Sequence, residues 1–280
     1  MTATLSPAFT VLRTPRSLLL EFERRHPGLA RYGIVLAISG LIALGLQQID
    51  PRTLASGVNV WVKPAKFFFS VALFALTAAW FMGYVHPERR RSTLIRATVQ
   101  VLVASGPFEL AYITLQGARG LESHFNVSSP LYALMYALMG LGAVALTATV
   151  LPLAWEIARR PAPGLQRSFV MAVVIGLALT FLLGGGFGIY MSSQGSHAVA
   201  AAGGHVPIFG WNRLGGDLRV AHFLGIHAEQ AIPILAALTA GTVLRPGARW
   251  LALIVGTAAY SALTLTIFAQ AIAGRPLFPM

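Results

Sequence analysis

Cysteine is absent from the 280 residues. That excludes disulfides, Cys-ligated zinc or iron–sulfur centres and covalent c-type haem. Charge is scarce too, at 11% of the chain, against about 25% in a typical soluble domain. Acids number 9 against 21 Lys and Arg, and Lys63 and Lys66 are the only lysines. No Ser-His-Asp spacing, nucleophile elbow or phosphate-binding loop stands out. "GGGFG" at Gly184–Gly188 lacks the strand-then-helix context of a nucleotide loop and reads as close helix packing.

What the chain has instead is hydrocarbon: 56% hydrophobic residues and a mean hydropathy of +0.68. Several apolar runs reach the ~20 residues that cross ~30 Å of bilayer core. The expected fold is an all-α integral membrane bundle of seven transmembrane helices, near 31–47, 62–84, 94–117, 130–155, 167–191, 219–244 and 249–272. Residues 31–280 read as one transmembrane domain, and residues 1–30 as a cytoplasmic segment. Within that segment "TPRSLLLEFERRHPG" predicts a short interfacial helix, with Thr14 as N-cap and Pro15 at its first position.

Arginines gather at alternate connections: Arg13, Arg16, Arg24, Arg25 and Arg31; then Arg89, Arg90, Arg91 and Arg96; then Arg159, Arg160 and Arg167; finally Arg245 and Arg249. By the positive-inside bias those segments are cytoplasmic, so the N-terminus lies inside and the C-terminus outside. The same bias accounts for the basic excess without nucleic acid, which is not an expected partner; the lipid bilayer is.

Three helical stripes carry the polar residues of the spans. At about 100° per residue, Ser105, Glu109, Tyr112, Gln116 and Arg119 of span three share an arc of about 80°. A carboxylate at bilayer depth costs ~2.5 kcal/mol or more on insertion scales, so this stripe should face protein rather than lipid. In span two, Asn59, Lys63, Lys66, Ser70 and Thr77 share about 60° if the helix runs unbroken past Pro64. In span six, Arg219, His222, His227, Glu229 and Gln230 occupy about 160° of an ideal helix. Glu109 and Glu229 are the two acids expected within spans, each beside a proline, Pro107 or Pro233. Adding His124, Asn126 and Asp217 from the flanking loops, the expectation is an outward-open polar site among spans two, three and six. The Gly-rich connection at 192–218 would lie over it as a lid or re-entrant segment.

Two carboxylates at similar depth repel, so one should hold a proton unless Lys66 or His227 neutralises it. Such a constellation suits a site that binds or senses a small polar or amphiphilic ligand. It also suits an intramembrane enzyme or a proton- or ion-coupled transporter, and all three stay open at this point. For a metal-dependent enzyme the candidate ligands are His124, His222 and Glu229, although His222 and His227 diverge by about 140° on an ideal helix. Haem is disfavoured, because no second span carries a histidine at suitable depth.

"QGARGLESHFN" and "GDLRVAHFLGIHAEQ", with "WVKPAKFFFS", resemble motifs of an uncharacterised family of bacterial polytopic inner-membrane proteins. The resemblance implies a bacterial inner (cytoplasmic) membrane location and carries no mechanism.

Overall fold

Prolines open several of the helices. The first helical position needs no N–H partner and suits a φ fixed near −65°. The computed structural model describes residues 14–54, 56–207, 209–240, 242 and 245–279; the first thirteen residues of the expected cytoplasmic segment lie outside them. Helix α1 (Pro15–Arg25) opens on proline behind Thr14, whose hydroxyl accepts from the Ser17 N–H. Helix α2 (Pro27–Ile49) does the same behind His26, whose ring accepts from the Leu29 N–H. Helix α3 (Val62–Met82) carries Pro64 as its third residue, inside the first turn where an N–H has no helical partner. The stripe from Lys63 onward is therefore continuous. Helix α4 (Thr93–Ala118) holds Pro107 in its interior. Helices α5 (Pro130–Ala148) and α6 (Val150–Arg159) follow, then α7 (Arg167–Leu179), a π-helical stretch (Thr180–Gly185) and α8 (Gly186–Ser193). A two-residue antiparallel ladder pairs β1 (Ala198–Val199) with β2 (Gly216–Asp217). The chain ends in α9 (Leu218–Ile226), α10 (Ala228–Ala240) and α11 (Pro246–Ile272).

Among the described residues six helical stretches are long and apolar enough to cross a membrane: Pro27–Ile49, Val62–Met82, Thr93–Ala118, Pro130–Arg159 (α5 with α6), Arg167–Ser193 (α7 through α8) and Pro246–Ile272. A seventh is the pair α9 and α10, bent by 52° at His227. The expected straight helix over 219–244 is thus corrected, and with it the arc drawn for span six, since directions computed on one ideal helix do not carry across the bend. The fourth apolar helix runs to Arg159 rather than 155, which takes in Glu156, a third acid within a span. Leu41, Leu141, Leu238 and Leu251 are each more than 60% exposed. Apolar surface on that scale is what hydrocarbon requires and water penalises. The chain is a multi-pass helical membrane protein.

By contact the chain forms two compact units, the first reaching Glu156 and including Arg160–Pro163, the second comprising Ile157–Arg159 and Gly164 onward. In the first, α2 and α3 approach closely at small residues: a Cβ on Gly33 would stand 2.7 Å from Leu76 Cγ and 3.2 Å from the Ala72 carbonyl. Buried Glu156 pairs with Arg89 at 2.6 Å. In the second, Ala172, Ile232, Ala236 and Leu253 form one apolar core, and Phe187, Val220, Ala221 and Ile267 form another.

The Gly33 contact sets a test. Gly33→Val should lower stability by about 1–3 kcal/mol through overpacking. Gly45→Ala, on the same helix with nothing within 4 Å, should be neutral or gain up to about 1 kcal/mol from helix propensity. Denaturation of the purified protein in detergent micelles measures both, and equal effects would show that α2 and α3 do not pack through Gly33.

Candidate functional site

The first unit brings three chemically distinct groups to one end of α3 and α4. Glu109 is buried on α4, 4% exposed. His124, from the loop after α4, places Nε2 3.8 Å from Glu109 Oε1. Lys63, in the first turn of α3, lies within electrostatic reach of both. On the other side of the imidazole, Nδ1 lies 3.2 Å from Oγ of buried Ser123. Rings of Phe67 and Tyr136 pack against His124 at 5.2 and 5.9 Å between centroids.

Local structure explains this convergence. Gly117 lets the start of α3 approach α4, since a Cβ there would stand 2.7 Å from the Val60 carbonyl and 3.2 Å from Pro64 Cγ. Upstream, Asp50 clamps the turn that leads into α3. It accepts from Trp61 Nε1 at 2.8 Å and from Arg52, while Arg52 Nη1 reaches the Ala118 carbonyl at 3.0 Å. The Arg52 bond, and then the one from Trp61, hold the Asp50 carboxyl well below the usual range. Downstream, Phe125 adopts a left-handed backbone (φ 59°), costly for a bulky residue. That turn leaves the Phe125 ring against Tyr136, 5.6 Å away, with the His124 ring between Phe67 and Tyr136.

The other expected residues of this half divide between site and scaffold. Gln116, fully buried, donates to Tyr112 Oη at 2.9 Å, and Arg119 reaches both Gln116 Oε1 and Tyr132 Oη at 3.4 Å. This chain of contacts continues the Glu109 face toward the loop. Ser105 donates to the Val101 carbonyl, a bond within its own helix. Asn126 accepts from the Ser128 N–H and hydroxyl and donates to the Glu122 carbonyl, which makes it a loop organiser. Lys66 is exposed on α3.

In the second unit the expected residues form two separate networks. Asp217 caps α9, accepts from the Asn212 N–H at 2.7 Å and holds Arg219 at 2.6 Å. Arg219 also reaches the Gly210 carbonyl at 2.6 Å, and Asn212 the Ala201 carbonyl at 2.6 Å. These bonds tie the Gly-rich connection to the start of α9. Burial alone would raise the Asp217 carboxyl, but the Arg219 bond and charge hold it below its ordinary value. The second network spans the bend. Gln230 donates to Glu229 Oε1 at 2.9 Å, and its own Oε1 lies 3.2 Å from His227 Nδ1. Thr180, in the π-helical stretch, accepts from the Glu229 N–H at 2.9 Å, while Tyr260 Oη donates to the Leu224 carbonyl at 2.5 Å. His222 turns instead to the Gly184 carbonyl, 2.8 Å from its Nδ1.

Ser123, Phe67 and Tyr136 were not among the expected site residues, nor were Thr180 and Tyr260. "ESHFN" carried a signal for Ser123, adjacent to the histidine; the others have none in one sequence. Among the described residues no three His, Cys, Asp or Glu side chains come together as a metal site. No family model matches the chain, nor does any curated protein or solved structure.

Burial, then the Lys63 charge, push the His124 imidazole down to about 3, so it is neutral near pH 7. An exposed imidazole titrates near 6.5. A released loop would therefore take up a proton that the closed loop refuses. The closed state is fully favoured above about pH 6.5 and loses stability as pH falls toward 3. Hydrogen exchange of residues 119–129 should accelerate between pH 7 and pH 4, corrected for intrinsic rates. His124→Gln should remove that part of the pH dependence; an unchanged profile in the variant would assign it to Glu109 or Lys63 instead.

Proposed function

We propose that the chain is a seven-span protein of the bacterial inner membrane, N-terminus inside and C-terminus outside, that binds or senses a small polar or amphiphilic ligand from the extracytoplasmic side. The observation that carries this reading is the meeting of Lys63, Glu109 and His124. A fully structural protein has little reason to gather an ammonium, a buried carboxylate and a neutral imidazole at one helix end, because each must be desolvated. Together they offer a donor, an acceptor and an amphoteric group, set against the aromatic faces of Phe67 and Tyr136. A ligand with a polar head and an apolar or aromatic body matches that mixture. Lys63 sits at the opposite end of α3 from the arginines of the 83–92 connection. By the charge bias that puts those arginines inside, the cluster faces outward.

Acid–base catalysis is a second reading, favoured by one observation. His124 stands between the Ser123 hydroxyl and the Glu109 carboxylate, at 3.2 and 3.8 Å, the arrangement a proton relay uses.

The absence of cysteine makes the topology directly testable. Single cysteines at Glu122 and Arg91 should react with a membrane-impermeant maleimide from opposite sides, Glu122→Cys in intact cells and Arg91→Cys only in inverted vesicles. Reaction of both from one side would remove the outward assignment. For the site, native mass spectrometry of protein extracted in mild detergent should show a co-purified small-molecule adduct, reduced about tenfold or more in Glu109→Gln and Lys63→Gln, as expected when a charged partner of a ligand is lost. If both variants keep the adduct and merely accumulate less, the cluster serves packing.

A further inference from the structure

Two buried networks, the His227–Gln230–Glu229 relay and the Asp217–Asn212–Arg219 node, are internally satisfied and point to no ligand. The cationic patch at the other end of the first unit does. Arg24 and Arg25 share a single carboxylate: Arg24 binds both Glu21 oxygens at 2.6 and 2.7 Å, and Arg25 Nε binds one of them at 2.7 Å. Arg25 lies 3.9 Å over the Trp80 ring and donates to the Trp80 carbonyl at 2.6 Å. Arg90 reaches the next carbonyls of the same chain segment, Gly83 at 3.0 Å and Val85 at 3.1 Å. Both side chains thus converge on the C-terminal end of α3, where the helix dipole favours cations. Glu23 is taken by Arg31 at 3.1 Å, while Glu88 is 82% exposed to solvent and 3.9 Å from His86 Nδ1, beyond hydrogen-bond reach. Among the described residues, Glu21 is the one carboxylate bonded to Arg24 and Arg25, and Arg90 beside them holds two backbone carbonyls. Burial, then the charges of Arg24 and Arg25, weaken the hold of Arg90 on its proton.

Beside this excess, α1 turns leucines outward. Leu19 is 48% and Leu20 61% exposed, and the Arg24 side chain is 67% exposed. Leu20 and Arg24, four residues apart, share one helix face. An apolar contact and a cation side by side, over a partly neutralised arginine cluster, are what a phosphodiester with acyl chains requires.

We infer that Arg24, Arg25 and Arg90, with the leucine face of α1, form a binding site for the headgroup of an anionic phospholipid. The phosphate supplies the negative charge that Glu21 alone does not, and the acyl chains lie along Leu19 and Leu20. Lipid bound there would fasten α1 to the end of α3 through Arg25.

Native mass spectrometry of the full chain in detergent micelles, doped with phosphatidylglycerol or with phosphatidylcholine of the same acyl chains, tests this. Phosphatidylglycerol adducts should dominate, and Arg24→Gln and Arg90→Gln should each lower their occupancy constant by about fivefold. Arg275→Gln, an exposed arginine of the second unit, should leave it unchanged. Equal retention of the two lipids, an equal loss in Arg275→Gln, or displacement by millimolar inorganic phosphate would each overturn the lipid site. Arg24 is on the surface, so Arg24→Gln decides the matter even if Arg90→Gln fails to accumulate.

Discussion

Inside a bilayer no water is at hand to complete a broken hydrogen bond, so every backbone group freed by a kink and every buried charge must be answered from within the chain. The irregular parts of this protein are answers to that requirement. At the bend, Thr180 accepts from the Glu229 N–H, and Tyr260 donates to the Leu224 carbonyl, which also accepts from the His227 N–H. Glu156 is buried and finds Arg89. The short ladder and the Asp217–Asn212–Arg219 node fasten the Gly-rich connection, whose Phe209 and Trp211 also pack on Phe223.

How much of this the sequence disclosed follows from which forces leave a periodic trace. Span positions were readable because hydrocarbon demands long apolar runs, and the helices begin within a few residues of where caps and prolines put them. Glu109 was readable as inward-facing because charge and helical period act together, and it is buried. Span six misled, because angular reasoning assumes one straight axis, and nothing in "LGIHAEQ" announces that the axis turns before Pro233. The apolar run gives out at Trp155, one residue before Glu156, while the helix continues to Arg159. His124 was readable as a member of the site from its position just beyond span three, but its ring direction was not: loops have no period, and only the folded turn at Phe125 sets that ring beside Glu109.

The two ends of the first unit are chemically opposed. At one, an ammonium, a carboxylate and an imidazole are gathered with aromatic rings and little net charge. At the other, arginines outnumber the acids and lean on a helix C-terminus. Glycine has a part at both ends for the same steric reason: Gly117 admits the start of α3, and Gly83 admits the Arg25 guanidinium, where a Cβ would stand 2.5 Å from Nη1. Small residues thus position charged ones, and the apolar packing between α2 and α3 holds the two ends at a fixed separation.

The widened π-helical turn at Thr180–Gly185 and the bend at His227 are complementary deformations. The surplus residue in one helix brings Thr180 within reach of the gap in its neighbour, and Gly184 lies against Gly225 so closely that neither tolerates a side chain. Deleting one residue from the 180–185 segment would restore regular winding there while stranding an amide opposite. Straightening the bend would leave the surplus turn bulging against nothing. Each deformation thus supplies what the other lacks, and repairing one alone would leave the other unsupported.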